Sequence, residues 1–458
     1  MTFDLVHWQA RLDELRAAHH VPGASLAVLS GGEIHELASG VLHRGTGVEA
    51  TTDSVFQLGS VAKVHTATLV MQLVDSGELD LDGPVVSVLP EFRVADAEAT
   101  KTITVRQLLT HTSGISGDFT LDTGRGDDCL ARYVDACAEV GQDFPPGTAI
   151  SYSSTGYNVL GRIVEVLTGQ TWDDALKDRL LTPLGLTNSV TLPEDVLRFR
   201  AAMGHTDAGE PMPAWTLIPR SGGPYGGVLC AGAGDVVRLA RMHLDGGAGL
   251  LSESAVTEMQ RHAVDVPDKW TVSSDGWGLG WTLYDWDGVP GYGHDGAATG
   301  QYSYLRVVPG AGVAVALLTN GGGARQLCTD LFRELLGELA GVRMPAPFAP
   351  APGPSTVDFS EHVGVYQREG VRITVSQKAG APHLVYEFID GMAHFSPPLE
   401  VDLKPVSENV FAAPGTGAFS DDWMPVVFFT LSTGTSCVYV GLRATPRMGK
   451  VTGREGCV

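Results

Sequence analysis

Apolar and polar positions divide the chain into regions with different periods. Gly23-Ala24-Ser25-Leu26-Ala27-Val28-Leu29 is an unbroken apolar run of strand length, closed by the Gly31-Gly32 turn, and predicts a buried strand. Before it, Leu12 and Leu15 alternate with Arg11 and Arg16 as in an amphipathic helix. A second short strand over 55–58 leads into a helix carrying Val64, Ala67, Leu69, Val70 and Leu73, which stops at Ser76-Gly77. The middle of the chain is helical and loop-rich, with helices over 105–109, 131–139, 157–167 and 172–179. Strand patterns return at 281–284, 302–308 and 313–319, followed by a helix over 326–339. Strands at both ends with helices between them predict one sheet completed jointly by the first and last segments, against which the helical insertion sits.

Residues 345–354 alternate proline with small residues, as an extended polyproline linker does. Beyond it, segments at 363–366, 371–376, 383–388, 400–405, 410–412, 425–431 and 436–442 alternate apolar and polar side chains between turn signals. Short strands so closely spaced predict a small antiparallel barrel or sandwich. The expected organisation is a first domain over 1–344, a linker over 345–354 and an all-β domain over 355–458.

Composition narrows the classes of function. The 458 residues are 43% hydrophobic and 18% charged, a balance that supports sizeable cores. A net charge of −22 disfavours nucleic acid and anionic membranes as partners. The N-terminus shows no basic segment followed by an apolar one, and no run is long enough to span a bilayer. The six cysteines are scattered without a CxxC, which predicts free thiols in a reducing compartment, and hence a cytoplasmic protein.

Three segments carry candidate chemistry. In Ser60-Val61-Ala62-Lys63 a hydroxyl and an amine lie three residues apart at the mouth of a helix, so they share a face. The helix dipole there favours a developing alkoxide and disfavours an ammonium, which makes Ser60 a candidate nucleophile and Lys63 its base. In Pro145-Pro146-Gly147-Thr148-Ala149-Ile150-Ser151-Tyr152-Ser153-Ser154 the tyrosine follows a tight turn and precedes a helix. A neighbouring ammonium would lower the Tyr152 phenol and let it relay the serine proton; alternatively Tyr152 is only a packed aromatic. In Gly291-Tyr292-Gly293-His294-Asp295-Gly296-Ala297 the glycines permit close backbone approach to a ligand, and an N–H here could join that of Ser60 in an oxyanion hole. No other histidine or acid stands at metal-ligand spacing from His294.

Together these segments resemble the penicillin-binding-protein and class C β-lactamase superfamily of serine acyl-enzymes, over about residues 10–340. Further landmarks are Leu108-Leu109-Thr110-His111-Thr112-Ser113-Gly114, Gly232-Ala233-Gly234-Asp235 and Trp277-Gly278-Leu279-Gly280-Trp281. The resemblance implies an α/β (α+β) fold: an antiparallel sheet with helices on both sides plus a helical insertion. It implies acylation of Ser60, roles for Lys63 and Tyr152 in proton transfer, and a third motif at His294-Asp295-Gly296 with Ala297 supplying an oxyanion N–H. Two positions depart from the family pattern. Ser154 replaces an asparagine that binds the substrate amide, and Asp295 replaces a threonine or serine that helps hold a substrate carboxylate. An acid at 295 would repel a carboxylate and attract an ammonium.

The absent export signal, the acid at 295 and the C-terminal β region together resemble the stand-alone penicillin-binding-protein-type thioesterases, in which a lipocalin-like barrel follows the catalytic domain. The resemblance implies a linear nonribosomal peptidyl thioester, delivered by a peptidyl carrier protein, that acylates Ser60 through a D-residue and leaves as a head-to-tail macrolactam. Substrate-binding roles fall on Ser154, Asp295 and Gly296. Arg443 joins them or is a surface arginine. No cofactor is implied. The alternatives are a cytosolic D-stereospecific aminopeptidase, amidase or esterase on the same scaffold, and a catalytically inactive binding protein.

Overall fold

The computed structural model describes residues 3–350, 357–393, 396–415 and 422–448. Among these, nine strands form one sheet in the order Val48–Glu49, Glu33–His43, Gly23–Ser30, Val313–Thr319, Gln301–Val308, Val289–Ala298, Thr282–Trp286, Gly276–Trp277 and Val264–Asp265. Every pairing is antiparallel. The first and last segments do meet: Leu26 stands opposite Leu317.

Burial on both faces explains the unbroken apolar run at 23–29. Leu26 and Val28 pack with Val315 and Leu317 against Trp8, Leu12 and Leu15 of the helix Leu5–Ala18 and Leu331, Phe332 and Leu335 of the helix Ala324–Ala340. Ala27 and Leu29, with Ala316 and Leu318, face the larger core around the helix Ala62–Asp75 and the helix Ala233–Leu244. A strand covered on both sides has no polar face to alternate with.

Two long strands are absent from the sequence-based expectation. Glu33–His43 pairs along its length with Gly23–Ser30, but it is half exposed and carries charged and histidine side chains. Val289–Ala298, whose glycines were read only as permitting close backbone approach, is a ten-residue strand. Its glycines are demanded by neighbours: a Cβ on Gly293 would stand 2.0 Å from Leu305 O, and one on Gly291 would stand 2.4 Å from the Trp286 ring.

The C-terminal region is all-β but forms no closed barrel among the described residues. It has a four-stranded sheet (Gly364–Arg368, Val371–Lys378, Ala381–Phe388, Leu399–Asp402) and a five-stranded one (Lys404–Pro405, Val410–Pro414, Trp423–Thr430, Ser436–Val440, Arg443–Pro446). The two share a core of Tyr366, Ile373, Leu384, Phe411, Phe428 and Val438. Their edges meet where Tyr366 bridges Arg447 and Met448 N donates to Val365 O at 2.8 Å. The five-stranded sheet is apolar on its other face too. Val427, Leu431, Cys437, Tyr439 and Ala444 pack against Phe144, Ile150, Tyr152, Val266 and Trp277.

The end of the expected linker, 351–354, lies outside the described residues, as does Cys457. Residues 345–350 have no regular secondary structure, and the Phe348 ring lies 5.0 Å from that of Trp270 at a tilt of 43°. Cys129, Cys137, Cys230, Cys328 and Cys437 are buried free thiols. No helix among the described residues is long and apolar enough to cross a membrane.

Asn320, just beyond the strand Val313–Thr319, ties three backbone segments together. Its Oδ1 accepts from Gly23 N at 2.7 Å, and its Nδ2 donates to Val41 O and Leu42 O at 3.1 and 2.9 Å. Asn320→Ala is expected to lower unfolding free energy by about 3 kcal/mol, because buried backbone groups lose their partners. Chemical denaturation with an unchanged m-value checks this.

Candidate active site

Ser60 occupies a 3-10 turn, Gly59–Val61, between the strand Phe56–Gln57 and the helix Ala62–Asp75. Gly59 has φ +50°, and a Cβ there would stand 2.5 Å from Ala297 O. A Cβ on Gly296 would lie 2.0 Å from Leu58 O and 2.9 Å from Ser60 N. Glycine at both positions lets the backbones of Ser60 and Ala297 approach side by side, the arrangement a two-donor oxyanion hole requires.

Lys63 points back from the first turn of its helix and is fully buried. Its Nζ lies 3.2 Å from Ser60 Oγ and 3.4 Å from Ser154 Oγ, and it donates to Tyr225 O at 3.0 Å. The amine also sits 4.6 Å from the centre of the Tyr152 ring and 5.2 Å from that of Tyr225. Burial, and then the Arg443 charge, push the Lys63 pKa well below the ordinary lysine range. A neutral Lys63 can accept the Ser60 proton.

Tyr152 is held from several sides. Its N–H donates to Leu442 O at 2.9 Å, and its ring lies 4.3 Å from that of His111, 5.7 Å from Trp277 and 6.2 Å from His294. His111 Nδ1 accepts from Ser153 N at 3.0 Å, and Ser153 caps the helix Ser154–Thr168 by accepting from Gly156 N. Burial pushes the Tyr152 phenol up, against the opposing pull of the Ser60 hydroxyl and Arg443. This corrects the expectation of a phenol lowered by a neighbouring ammonium: Tyr152 is a protonated phenol beside a neutral amine.

His294 is buried on the strand Val289–Ala298. Its Nδ1–H donates to Asp295 O at 2.6 Å, which leaves Nε2 as an acceptor. Burial lowers it to about 4, so the imidazole is neutral near pH 7.

Two side chains differ from their sequence-based reading. Asp295 is not a free acid. It forms a two-pronged ion pair with Arg306, through Oδ1 to Nη1 and through Oδ2 to Nη2 at 3.1 Å. Arg306 comes from the neighbouring strand Gln301–Val308 and stacks on the Tyr284 ring at 4.8 Å. Burial works against the guanidinium, but Asp295 outweighs it and keeps Arg306 charged. The pair therefore cancels the negative charge that was expected to attract an ammonium. Arg443 is not a surface arginine. It lies 5.0 Å from the centre of the Tyr152 ring and is bonded to Asp118 at 2.6 Å.

A cavity of about 450 Å³ opens onto Ser60, Tyr152, His294, Asp295, Gly296 and Ala297. The C-terminal region supplies Trp423, Leu442 and Arg443 to its wall, and the proline segment supplies Pro345, Pro347 and Phe348. Sequence reasoning passed over Asp118, Tyr225 and Arg306. Arg306 alone left a signal: a charge inside an otherwise apolar strand, where burial demands a partner.

The profile of the Beta-lactamase family matches residues 8–337. "Penicillin-binding protein 4" of Amycolatopsis lactamdurans is 66% identical over 380 residues, covering 81% of this chain and 99% of that protein. "Esterase EstB" of Burkholderia gladioli is 29% identical over 366 residues, covering 70% and 92%. Among solved structures, SurE superposes with a TM-score of 0.79 at 31% identity over 97% of this chain and 99% of its own; it has also been solved with D-Leu.

Two outcomes follow from the geometry. Gly296→Ala is expected to lower kcat/KM by about 10²-fold or more, since a Cβ there displaces the Ser60 backbone and spoils the oxyanion donors; steady-state kinetics on folded variant checks this. Acylation of Ser60 needs neutral Lys63, so its rate rises with pH through an acid limb well below the 10.5 of an ordinary lysine. Arg443→Met removes one cause of that lowering and moves the limb to higher pH in a pH–rate profile.

Proposed function

This chain belongs to the beta-lactamase family, within the penicillin-binding-protein and class C β-lactamase superfamily of serine enzymes, and on that premise we propose that it is a peptide cyclase acting through a Ser60 acyl-enzyme. Its substrate is a linear peptidyl thioester, presented on a peptidyl carrier protein, with a D-residue at the acylating end. Neutral Lys63 takes the Ser60 proton as Oγ attacks the thioester carbonyl. The backbone N–H groups of Ser60 and Ala297 receive the oxyanion, and the thiol leaves with a proton returned through Lys63 and Tyr152. The N-terminal amine of the same peptide then attacks the acyl-enzyme. Lys63 takes a proton from that amine, the C–Oγ bond breaks, Ser60 recovers its proton, and a macrolactam is released.

The observation that carries this reading is that the C-terminal β region supplies Trp423, Leu442 and Arg443 to the wall of the cavity onto which Ser60 opens. Apolar side chains at that wall lower the access of water to an acyl group on Ser60, which favours capture by the peptide's own amine over hydrolysis. The likeness to SurE extends over both regions, and D-Leu in the SurE structure supports a D-configured acyl residue. The name of the 66% identical relative, a penicillin-binding protein, fits the acylation step. Asp295 has no part in capturing the amine, because Arg306 already occupies it.

A hydrolytic second reading is favoured by the likeness to an esterase over 92% of that protein's length. One experiment separates the two. A linear peptide thioester mimic ending in a D-residue should yield the cyclic peptide, with a Ser60 adduct visible by intact-protein mass spectrometry. Ser60→Ala should reduce turnover by about 10³-fold or more. Linear acid as the sole product assigns the hydrolase; no adduct on Ser60 assigns a non-catalytic binding protein.

A further inference from the structure

Asp118 lies in the loop after the Thr112-Ser113-Gly114 turn, outside every segment so far given a catalytic role. Its neighbour Gly117 is pinned to the tyrosine motif: Gly117 O accepts from Ser154 N at 2.9 Å, and a Cβ on Gly117 would stand 2.3 Å from Tyr152 O. The Asp118 carboxylate receives two arginines, both from the C-terminal region. Arg443 donates through Nη2 to Oδ1 at 2.6 Å and through Nε to Oδ2 at 3.3 Å; Arg368 donates through Nη1 to Oδ2 at 3.0 Å. These arginines sit on the strands Arg443–Pro446 and Gly364–Arg368, one from each C-terminal sheet.

We propose that Asp118 is a positioning residue, the anionic pin of a two-arginine clasp that holds both C-terminal sheets against the catalytic region and seats Arg443 over the Tyr152 ring. Two guanidinium groups converge on one carboxylate in a largely buried place, with side-chain exposures of 5% for Arg368 and 18% for Arg443. Without the anion they repel one another and lack a partner, so the cheapest relief is for the sheets to separate from the site. Burial favours the protonated Asp118, yet the two arginines together hold it down at about 2. The pin therefore stays charged at any pH where Lys63 chemistry proceeds. Arg443 lowers the Lys63 pKa and Asp118 raises it, so the pin acts on the base both directly and through Arg443. The clasp applies to any acyl transfer at Ser60. It does not require cyclisation.

The test uses full-length Asp118→Asn, Asp118→Glu and Arg368→Gln, the last changing a residue that does not line the cavity. Cys437 reports the docking without reference to activity: it is 1% exposed, in the apolar cluster shared by the two regions. The expected result is at least a tenfold faster alkylation of Cys437, located by peptide mass spectrometry, in Asp118→Asn and Arg368→Gln, with recovery toward the parent rate in Asp118→Glu. Acylation of Ser60 by a fluorophosphonate probe should slow at least tenfold in Asp118→Asn, and its acid limb should move to higher pH as Arg443 departs and water reaches Lys63. If Arg443 stayed in place, loss of the anion would move that limb to lower pH. Protected Cys437 with an unmoved or lowered limb overturns the proposal. A peptide thioester that is hydrolysed but never cyclised overturns the cyclase and leaves the clasp standing on the Cys437 result.

Discussion

The burial of one primary amine organises this site. Among the described residues no carboxylate lies within hydrogen-bonding distance of Lys63; its contacts are two hydroxyls, a carbonyl and aromatic ring faces. In such surroundings the charged form is costly, and the neutral form is the one a serine needs. Much else follows from that need. The aromatic layer of His111, Tyr152, Trp277 and His294 keeps water from the amine. The histidines are themselves lowered chiefly by burial, so they add no competing charge.

The wall that encloses this amine is built from parts of the chain with different histories of constraint. The turn bearing Ser60 and the strand bearing Gly296 press backbone against backbone, and only glycine fits. The side facing the C-terminal region combines apolar packing with the ion pairs of Asp118 to Arg368 and Arg443. Ionic contacts of this kind contribute direction more than net stability, since desolvation offsets most of their attraction. The apolar cluster supplies the adhesion, and the charged contact determines where Arg443 stands.

Much of this was legible in the sequence, and the failures have physical causes. Ser60, Lys63, Tyr152 and Ala297 could be placed because their chemistry lies in short local spacings. The C-terminal strands could be placed because alternation survives wherever one face is core. The strand Val289–Ala298 was hidden because its glycines answer to tertiary crowding, which overrides their low strand propensity. Asp295 was misjudged for a related reason. Its charge was visible, but Arg306, which neutralises it, lies across a strand pairing that register alone establishes: Asp295 faces Tyr304, and Arg306 faces Gly293. Arg443 was undervalued because a single arginine near the end of a chain carries no local sign of being buried.

The pairing of Gly23–Ser30 with Val313–Thr319 has a consequence for biosynthesis. This interior strand of the sheet emerges from the ribosome early and waits for a partner made near the end of the catalytic region. Contacts so distant along the chain close slowly. Until they close, the first hairpin presents an apolar face that invites misassociation, and chaperone protection would be most valuable in that interval. The nascent Ser60 is meanwhile an ordinary alcohol. Reactivity arrives with the last strands, so truncated translation products would be chemically silent.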